Sequence, residues 1–148
     1  MNFKDIIDLF KLGKATAKSH MRNLIEIAVA DGGFGIEEQR LLQYAAVRNN
    51  ISEAQLKDIQ EHTSKVPFKV PFNEEEKFFQ LYDLVHMMSV DENIHQEELR
   101  LCEIFAVKFG YRKEVVREMV EVIQQNIKKW IGAKETMLTI WKLMKVYD

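Results

Sequence analysis

Two acidic segments of this chain contain the residues best suited to chemistry. The segment 31–38 carries Asp31 and Glu38, and the segment 91–98 repeats them sixty residues later as Asp91 and Glu98. Carboxylate oxygens are the ligands that hard cations such as Ca²⁺ and Mg²⁺ prefer. Carboxylates that meet repel one another unless a cation lies between them. The repeated acids therefore predict a shared divalent-cation site, provided that the fold brings the two segments together.

The same residues have a second, purely structural interpretation, which the sequence favours. Glu38 and Glu98 stand at about the third position of a predicted helix, where an acid can accept a hydrogen bond from the amide of the capping residue. Asp31 and Asp91 fall near the C-terminal end of a predicted helix, where a negative charge opposes the helix dipole. Amides of their own loops are the common donors to such aspartates. Capping thus explains the glutamates more completely than the aspartates.

Motifs for other chemistry are absent from the sequence. An EF-hand needs oxygen ligands at alternating positions over about twelve residues, but Gly33, Phe34 and Gly35 occupy places where those oxygens should be. The spacings of zinc fingers, phosphate-binding glycine loops and nucleophile elbows are also missing. We therefore expect no catalytic activity. The alternative is a small hydrolase that uses the same four carboxylates, with Asp31 and Asp91 conceivable as acid and base.

Each acidic segment joins two apolar helical runs, and the two copies align without a gap. The aligned pairs are Leu24 with Leu84, Asp31 with Asp91, Glu37 and Glu38 with Glu97 and Glu98, Arg40 with Arg100, Leu41 with Leu101, and Ala46-Val47 with Ala106-Val107. We place the first repeat at about 16–62 and the second at about 74–128. A duplicated helix-loop-helix tends to pack about a pseudo-twofold axis, because neither copy can bury its apolar face alone.

Apolar residues recur at helical spacing through most of the chain, and no strand pattern competes. The prediction is an all-α fold of seven or eight helices in a single domain, 1–148. We expect a short first helix that ends near Gly13, a second helix from about Thr16, and a last helix at about 134–147.

Capping residues set the predicted helix ends. Ser52 and Asn73 are good N-caps, and Gly35 and His95 occupy the N-cap positions after the acidic loops. Gly110 is expected to cap a C-terminus.

The segment 66–72 contains both prolines and cannot lie inside a helix. Its apolar residues alternate, which predicts an extended strap between the repeats. We expect its two phenylalanines, Phe68 and Phe72, to fill the core. The alternative is an exposed strip that docks a peptide, which is disfavoured because exposed apolar patches are costly.

Charge and cysteine content narrow the function. The net charge is −2, with 21 basic and 23 acidic residues, which argues against nucleic acid as a partner. The single Cys102 fits a small buried apolar role and a reducing compartment. No stretch approaches the roughly 20 apolar residues of an integral membrane segment, so we expect a cytoplasmic protein.

Two groups of basic residues are expected to be solvated helix faces: Lys4, Lys11, Lys14, Lys18 and Arg22, and Lys128, Lys129, Lys134, Lys142 and Lys145.

The segment 27–38, followed by Leu41, resembles the signature of the tellurite-resistance TerB-like family. That signature has an Ala-Asp-Gly step that closes one helix and a glutamate that opens the next. The first copy matches it at Asp31, Gly32, Phe34 and Glu38, and the second copy matches at Asp91, Ile94 and Glu98 but departs at Glu92 and His95. The resemblance covers about 16–128. It implies an all-helical pseudo-symmetric fold, a link to metal-associated stress responses, interaction with other proteins and no known catalysis.

The sequence thus leads to three expectations about function. The first is a non-catalytic TerB-like module that binds a protein partner, with Ca²⁺ or Mg²⁺ held by Asp31, Glu38, Asp91 and Glu98. The second is the small carboxylate-based hydrolase. The third is a structural or homo-oligomerisation module, whose contact surface would be the last helix with Met137, Ile140, Trp141 and Met144, although core packing is the favoured role of those four residues.

Overall fold

The computed structural model describes residues 2–30, 34–90 and 95–147. This part of the chain contains no strand, so the prediction of an all-α fold is confirmed. No helix in it is both long and apolar enough to cross a membrane. The described helices are α1 (Phe3–Val29), α2 (Ile36–Arg48), α3 (Glu53–Glu61), α4 (Glu74–Met88), α5 (Gln96–Lys108), α6 (Lys113–Lys128) and α7 (Ala133–Tyr147), with a single 3₁₀ turn at Thr63–Lys65.

The first compact unit spans Met1–Val70. In it α1 packs against both α2 and α3, which also contact each other. Apolar side chains recur along α1 at helical spacing and turn one face of the helix inward. The buried apolar residues of this unit include Met21, Leu24, Ile27 and Ala28 of α1, Leu42 and Ala45 of α2, and Leu56 and Ile59 of α3.

The second compact unit spans Pro71–Asp148. Here α4 contacts α5, α6 and α7, and α6 also contacts α5 and α7. The helix α4 is therefore the centre of this bundle, and apolar residues cover much of its surface. The buried apolar residues include Phe78, Leu81, Leu84 and Val85 of α4, Cys102 and Phe105 of α5, Val116, Met119 and Ile123 of α6, and Met137 and Ile140 of α7.

The predicted N-caps of α3 and α4 are confirmed. Ser52 accepts a hydrogen bond from the amide of Gln55, whose side chain accepts one from the amide of Ser52, so a complete capping box opens α3. Asn73 accepts a hydrogen bond from the amide of Glu76 at 2.7 Å and opens α4. Both caps satisfy amides that the first helical turn leaves without partners.

The helices α2 and α5 end in the same way. Ile51 donates its amide to the carbonyl of Ala46 at 2.9 Å, and Tyr111 donates its amide to the carbonyl of Ala106 at 3.1 Å. The intervening residues have positive φ angles, 57° at Asn50 and 106° at Gly110. These are Schellman C-caps, so the predicted C-cap at Gly110 is confirmed.

The sixty-residue register of the sequence is also present in the helix boundaries. The helices α2 and α5 begin at Ile36 and Gln96 and end at Arg48 and Lys108, and α3 and α6 begin at Glu53 and Lys113. The order of helices and their local ends therefore repeat. The pseudo-twofold relation between the copies and the single-domain organisation stay predictions.

Gly13 does not end a helix, so the prediction of separate helices at about 3–10 and from Thr16 is wrong. A single helix of 27 residues runs through this position. Glycine costs only about 1 kcal/mol relative to alanine inside a helix, and the apolar pattern that continues beyond it outweighs that cost. The hydroxyl of Thr16 donates to the carbonyl of Gly13 at 3.0 Å inside the helix.

The strap 66–72 is only partly buried. Pro71 is buried and Phe68 is half-buried, but Phe72 has 78% of its surface exposed. The expectation that both phenylalanines fill the core is therefore wrong for Phe72. The reason is local: the chain bends at Phe72 to place Asn73 at the start of α4, and Pro71 takes the buried position instead.

Candidate functional site

The structure describes two of the four predicted metal ligands. Asp31 and Asp91 lie outside the described residues. Glu38 and Glu98 occupy the first turns of α2 and α5. The N-cap residues before them are Gly35 and His95, as predicted, and neither makes a side-chain capping hydrogen bond.

The carboxylate of Glu38 folds back over the start of its own helix. A Cβ atom placed on Gly35 would lie 2.6 Å from Oε2 of Glu38 and 3.6 Å from its carboxyl carbon. The carboxylate therefore occupies the space where a side chain at the cap would stand. This position is the one expected of an acid that reaches back to the N-cap, and it favours the structural interpretation of Glu38.

Glu98 differs from Glu38 in its environment. Glu98 has only 4% of its surface exposed, whereas Glu38 is half-buried. Burial of a carboxylate is costly unless its charge is compensated. Two acids at the same position of two repeats are thus unequal in solvent access, and any cation site built from them would be asymmetric.

Within residues 2–30, 34–90 and 95–147, no three His, Cys, Asp or Glu side chains form a group that would hold a metal ion. A cation site that uses Glu38 or Glu98 would therefore depend on ligands from the loops that hold Asp31 and Asp91. The cation prediction stays a prediction.

Two exposed apolar faces repeat in the register of the acidic loops. On α2, Tyr44 and Val47 have 64% and 75% of their surfaces exposed, and on α5 the equivalent Ile104 and Val107 have 37% and 45% exposed. Residues four and three apart lie on one helix face. Each helix therefore presents an aromatic or aliphatic side chain beside a valine to solvent.

Basic residues flank both apolar faces at matched positions. Arg40 and Arg48 stand near the face of α2, and Arg100 and Lys108 stand near the face of α5. The guanidinium carbon of Arg48 lies 5.1 Å from the centre of the Tyr44 ring, which is a cation–π contact. We name these two surfaces the twin faces, consisting of Arg40, Tyr44, Val47 and Arg48 on α2 and Arg100, Ile104, Val107 and Lys108 on α5.

The C-terminal helix has both buried and exposed apolar residues. Met137 and Ile140 of α7 are buried and Met144 is half-buried, whereas Leu138, Trp141 and Leu143 are exposed. The favoured role of these residues in the core is confirmed for Met137 and Ile140. The exposed Leu138, Trp141 and Leu143 keep α7 a candidate contact surface for the homo-oligomerisation alternative.

The single cysteine is fully buried in α5, as predicted. Burial, with a smaller contribution from the nearby charge of Glu103, raises the pKa of the Cys102 thiol to about 12. Burial also raises the pKa of Tyr111, with a smaller contribution from Glu74. A thiol with a raised pKa is a poor nucleophile at neutral pH, so Cys102 is a packing residue.

The structure also forms a cleft that the sequence did not indicate. Lys14 and Lys18 of α1 line it together with Lys65 and Lys69 of the segment after α3, and its volume is about 590 Å³. We name it the lysine cleft. Spacing along the chain could not reveal it, because about fifty residues separate the two pairs of lysines and only the folded strap joins them.

No known protein family, no characterised protein and no solved structure matches this chain. The resemblance to the TerB-like family therefore stays a prediction based on the residues of the acidic loops.

Proposed function

We propose that this chain is a non-catalytic, TerB-like helical module that binds a protein partner through the twin faces. The observation that carries the proposal is the repetition of the same exposed apolar and basic pattern on α2 and α5. Exposed apolar side chains that cluster beside charges are typical of interaction surfaces. A pattern that recurs at sixty residues is harder to explain by chance than a single exposed valine.

The chemistry of the twin faces defines the partner. Tyr and Arg are enriched where binding energy concentrates in protein interfaces, and the α2 face carries both. Each face presents an apolar centre beside basic residues, which is complementary to an apolar segment flanked by acidic residues. The proposed partner is therefore a protein with such segments, and the repeated pattern would let each face bind one of them in a similar way.

Two further parts of the proposal come from the sequence. A cytoplasmic location agrees with the single cysteine, since Cys102 has no partner for an internal disulfide. A role in a metal-associated stress response, such as tellurite resistance, is what the TerB-like resemblance implies. The hydrolase alternative would depend on the carboxylates of Asp31, Glu38, Asp91 and Glu98, and no contact of the described residues favours it.

Site-specific photocrosslinking tests the proposal. A photoreactive amino acid replaces Tyr44 in one variant and Ile104 in another, and the exposed Lys57 of α3 in a control variant. Each is expressed in cells that naturally make the protein, and the adducts are identified by mass spectrometry. We expect one protein to be crosslinked from positions 44 and 104 and not from 57.

Three results would contradict the proposal. Adducts at 57 as abundant as those at 44 would show that the crosslinking is nonspecific. A lack of adducts at 44 and 104 would remove the twin faces as a binding surface. A second copy of this chain as the crosslinked protein would instead support the homo-oligomerisation alternative.

A further inference from the structure

The lysine cleft concentrates positive charge in a chain that is negative overall. Four lysines line it, and Asp58 is its single carboxylate, whereas the whole chain has a net charge of −2. Among the described residues, no ion pair joins Lys18, Lys65 or Lys69 to an acid. Like charges that lie close together without acidic partners destabilise a fold slightly. An anion bound between the four lysines would remove this repulsion.

The two walls of the cleft are held in place by hydrogen bonds. The amide of Lys69 donates to Oγ of Ser19 at 2.8 Å, which fixes the strap against α1. The Lys14 ammonium donates to the carbonyl of Asn50 at 3.0 Å and to Oε1 of Gln55 at 3.2 Å. These bonds position the lysine-bearing segments before any ligand arrives, which reduces the entropy lost on binding.

A histidine pairs with the single carboxylate of the cleft. Nδ1 of His62 lies 3.2 Å from Oδ1 of Asp58, so the one carboxylate of the cleft is already engaged. The imidazole of His62 also lines the cleft and offers a further polar group to a ligand.

Apart from Gln55, the remaining lining of the cleft is apolar. Ala15, Ile59, Val66 and Pro67 line the cleft beside the lysines. Its volume of about 590 Å³ falls inside the range of roughly 300–1,000 Å³ that small-molecule sites occupy. A bare inorganic anion would leave most of this space and the apolar lining unused, whereas an organic molecule with an anionic group would contact both.

We infer that the lysine cleft binds a soluble organic phosphate, with its phosphate groups against Lys14, Lys18, Lys65 and Lys69 and its organic part against Ile59, Val66 and Pro67. Lysine is a common phosphate-binding residue that acts as a point charge. A nucleic-acid polymer fits less well, because it needs an extended basic surface and this charge is confined to one cleft. The inference is independent of the proposed function, since the twin faces share no residue with the cleft.

Isothermal titration calorimetry of the full chain tests the inference. The probes are adenosine triphosphate and inorganic pyrophosphate, each titrated at two salt concentrations. We expect adenosine triphosphate to bind more tightly than pyrophosphate, with an affinity that falls as salt rises. Lys18→Gln with Lys69→Gln should weaken binding roughly tenfold for each lysine, because both residues line the cleft and no ion pair within the described residues engages either ammonium group. The matched control is Lys128→Gln with Lys134→Gln, two exposed lysines that do not line the cleft and that change the net charge equally.

Any of three results would overturn the inference. The first is that adenosine triphosphate does not bind, or binds no more tightly than pyrophosphate. The second is that the control variant loses as much affinity as the cleft variant. The third is that, among these probes and phosphoinositide-containing vesicles titrated in the same way, only the vesicles bind, which would assign the cleft to a membrane surface. Circular dichroism of both double variants confirms that each remains folded. If Lys18→Gln with Lys69→Gln is unfolded, Lys65→Gln is titrated in its place and must show the same loss.

Discussion

The amide of Lys69 donates a hydrogen bond to Oγ of Ser19 at 2.8 Å, and the same hydroxyl lies 3.4 Å from the Lys69 carbonyl. One buried side chain of α1 thus satisfies both main-chain groups of a strap residue fifty positions away. Extended segments have no internal hydrogen bonds of their own, so the strap depends on such external partners. The position of Ser19 is therefore what places Lys69 beside Lys14 and Lys18.

Ser19→Ala should destabilise the protein by about 1–3 kcal/mol, because the Lys69 amide loses its acceptor. Urea unfolding measures the change. The exposed Ser64→Ala is the matched control and should stay within about 0.5 kcal/mol of wild type. Equal stability of the two variants would show that the strap does not depend on Ser19.

Gly110→Ala should destabilise the protein by roughly 1–2 kcal/mol, because Gly110 has a φ of 106° that side-chain-bearing residues rarely adopt. A Cβ atom at Gly110 would meet nothing within 4 Å, so the cost is conformational rather than steric. Gly132→Ala is the control, since a Cβ there also meets nothing and its φ is not in the positive region. Chemical denaturation of both variants measures the difference, and an equal effect would remove the C-cap explanation.

Cys102 should make the protein less stable in alkaline solution. Burial raises the pKa of its thiol from 9.0 to about 12, so above pH 9 the unfolded state loses this proton while the folded state retains it. The folded state then binds more protons than the unfolded state, and stability falls as pH rises from 9 towards 12. The free-energy gap between wild type and Cys102→Ala should shrink by up to about 1.4 kcal/mol for each pH unit in that window.

Urea unfolding of wild type and Cys102→Ala at several pH values between 8 and 11 checks this expectation. The cavity that the substitution leaves is the same at every pH and cancels in the comparison. A gap that stays constant would mean that the thiol ionises with an ordinary pKa in the folded protein.

The cation prediction has its own test. If Ca²⁺ or Mg²⁺ binds the acidic loops, either ion should raise the melting temperature of chelator-treated wild type, by the equivalent of about 2.7 kcal/mol at a concentration 100 times the Kd. Asp31→Asn with Asp91→Asn should abolish the rise, and Glu37→Gln with Glu97→Gln, two exposed acids of the same helix turns, should preserve it. Wild type that melts at the same temperature with and without every ion would refute the prediction.

Local signals in the sequence predicted much of the fold. Ser52, Asn73 and Gly110 mark helix ends because each residue satisfies a backbone requirement within a few positions. The predicted helix end at Gly13 was wrong because the local cost of glycine is small compared with the free energy gained by packing a long helix. The predicted burial of Phe72 was wrong because an alternating pattern does not show which side of an extended segment faces the core.

The functional surfaces were less predictable. Glu38 and Glu98 share one sequence context, yet only Glu98 is buried, since burial depends on what packs around the helix and not on the cap. The lysine cleft needs α1 and the strap to meet, and no spacing rule relates Lys14 to Lys65. The sequence indicated part of the twin faces, because Arg40 and Val47 repeat as Arg100 and Val107. It could not show that these residues form an exposed surface, since the exposure of a residue is known only from the folded chain.

The affinity of the twin faces for the protein crosslinked at position 44 tests the central claim most directly. Val47→Ser with Val107→Ser removes the apolar centre of both faces and should weaken binding by about tenfold or more, while stability changes little because both residues are exposed. Val70→Ser with Leu138→Ser, at exposed apolar positions elsewhere, should leave the Kd within about twofold. A Kd that is unchanged by the first pair, or changed as much by the second, would contradict a binding role for the twin faces.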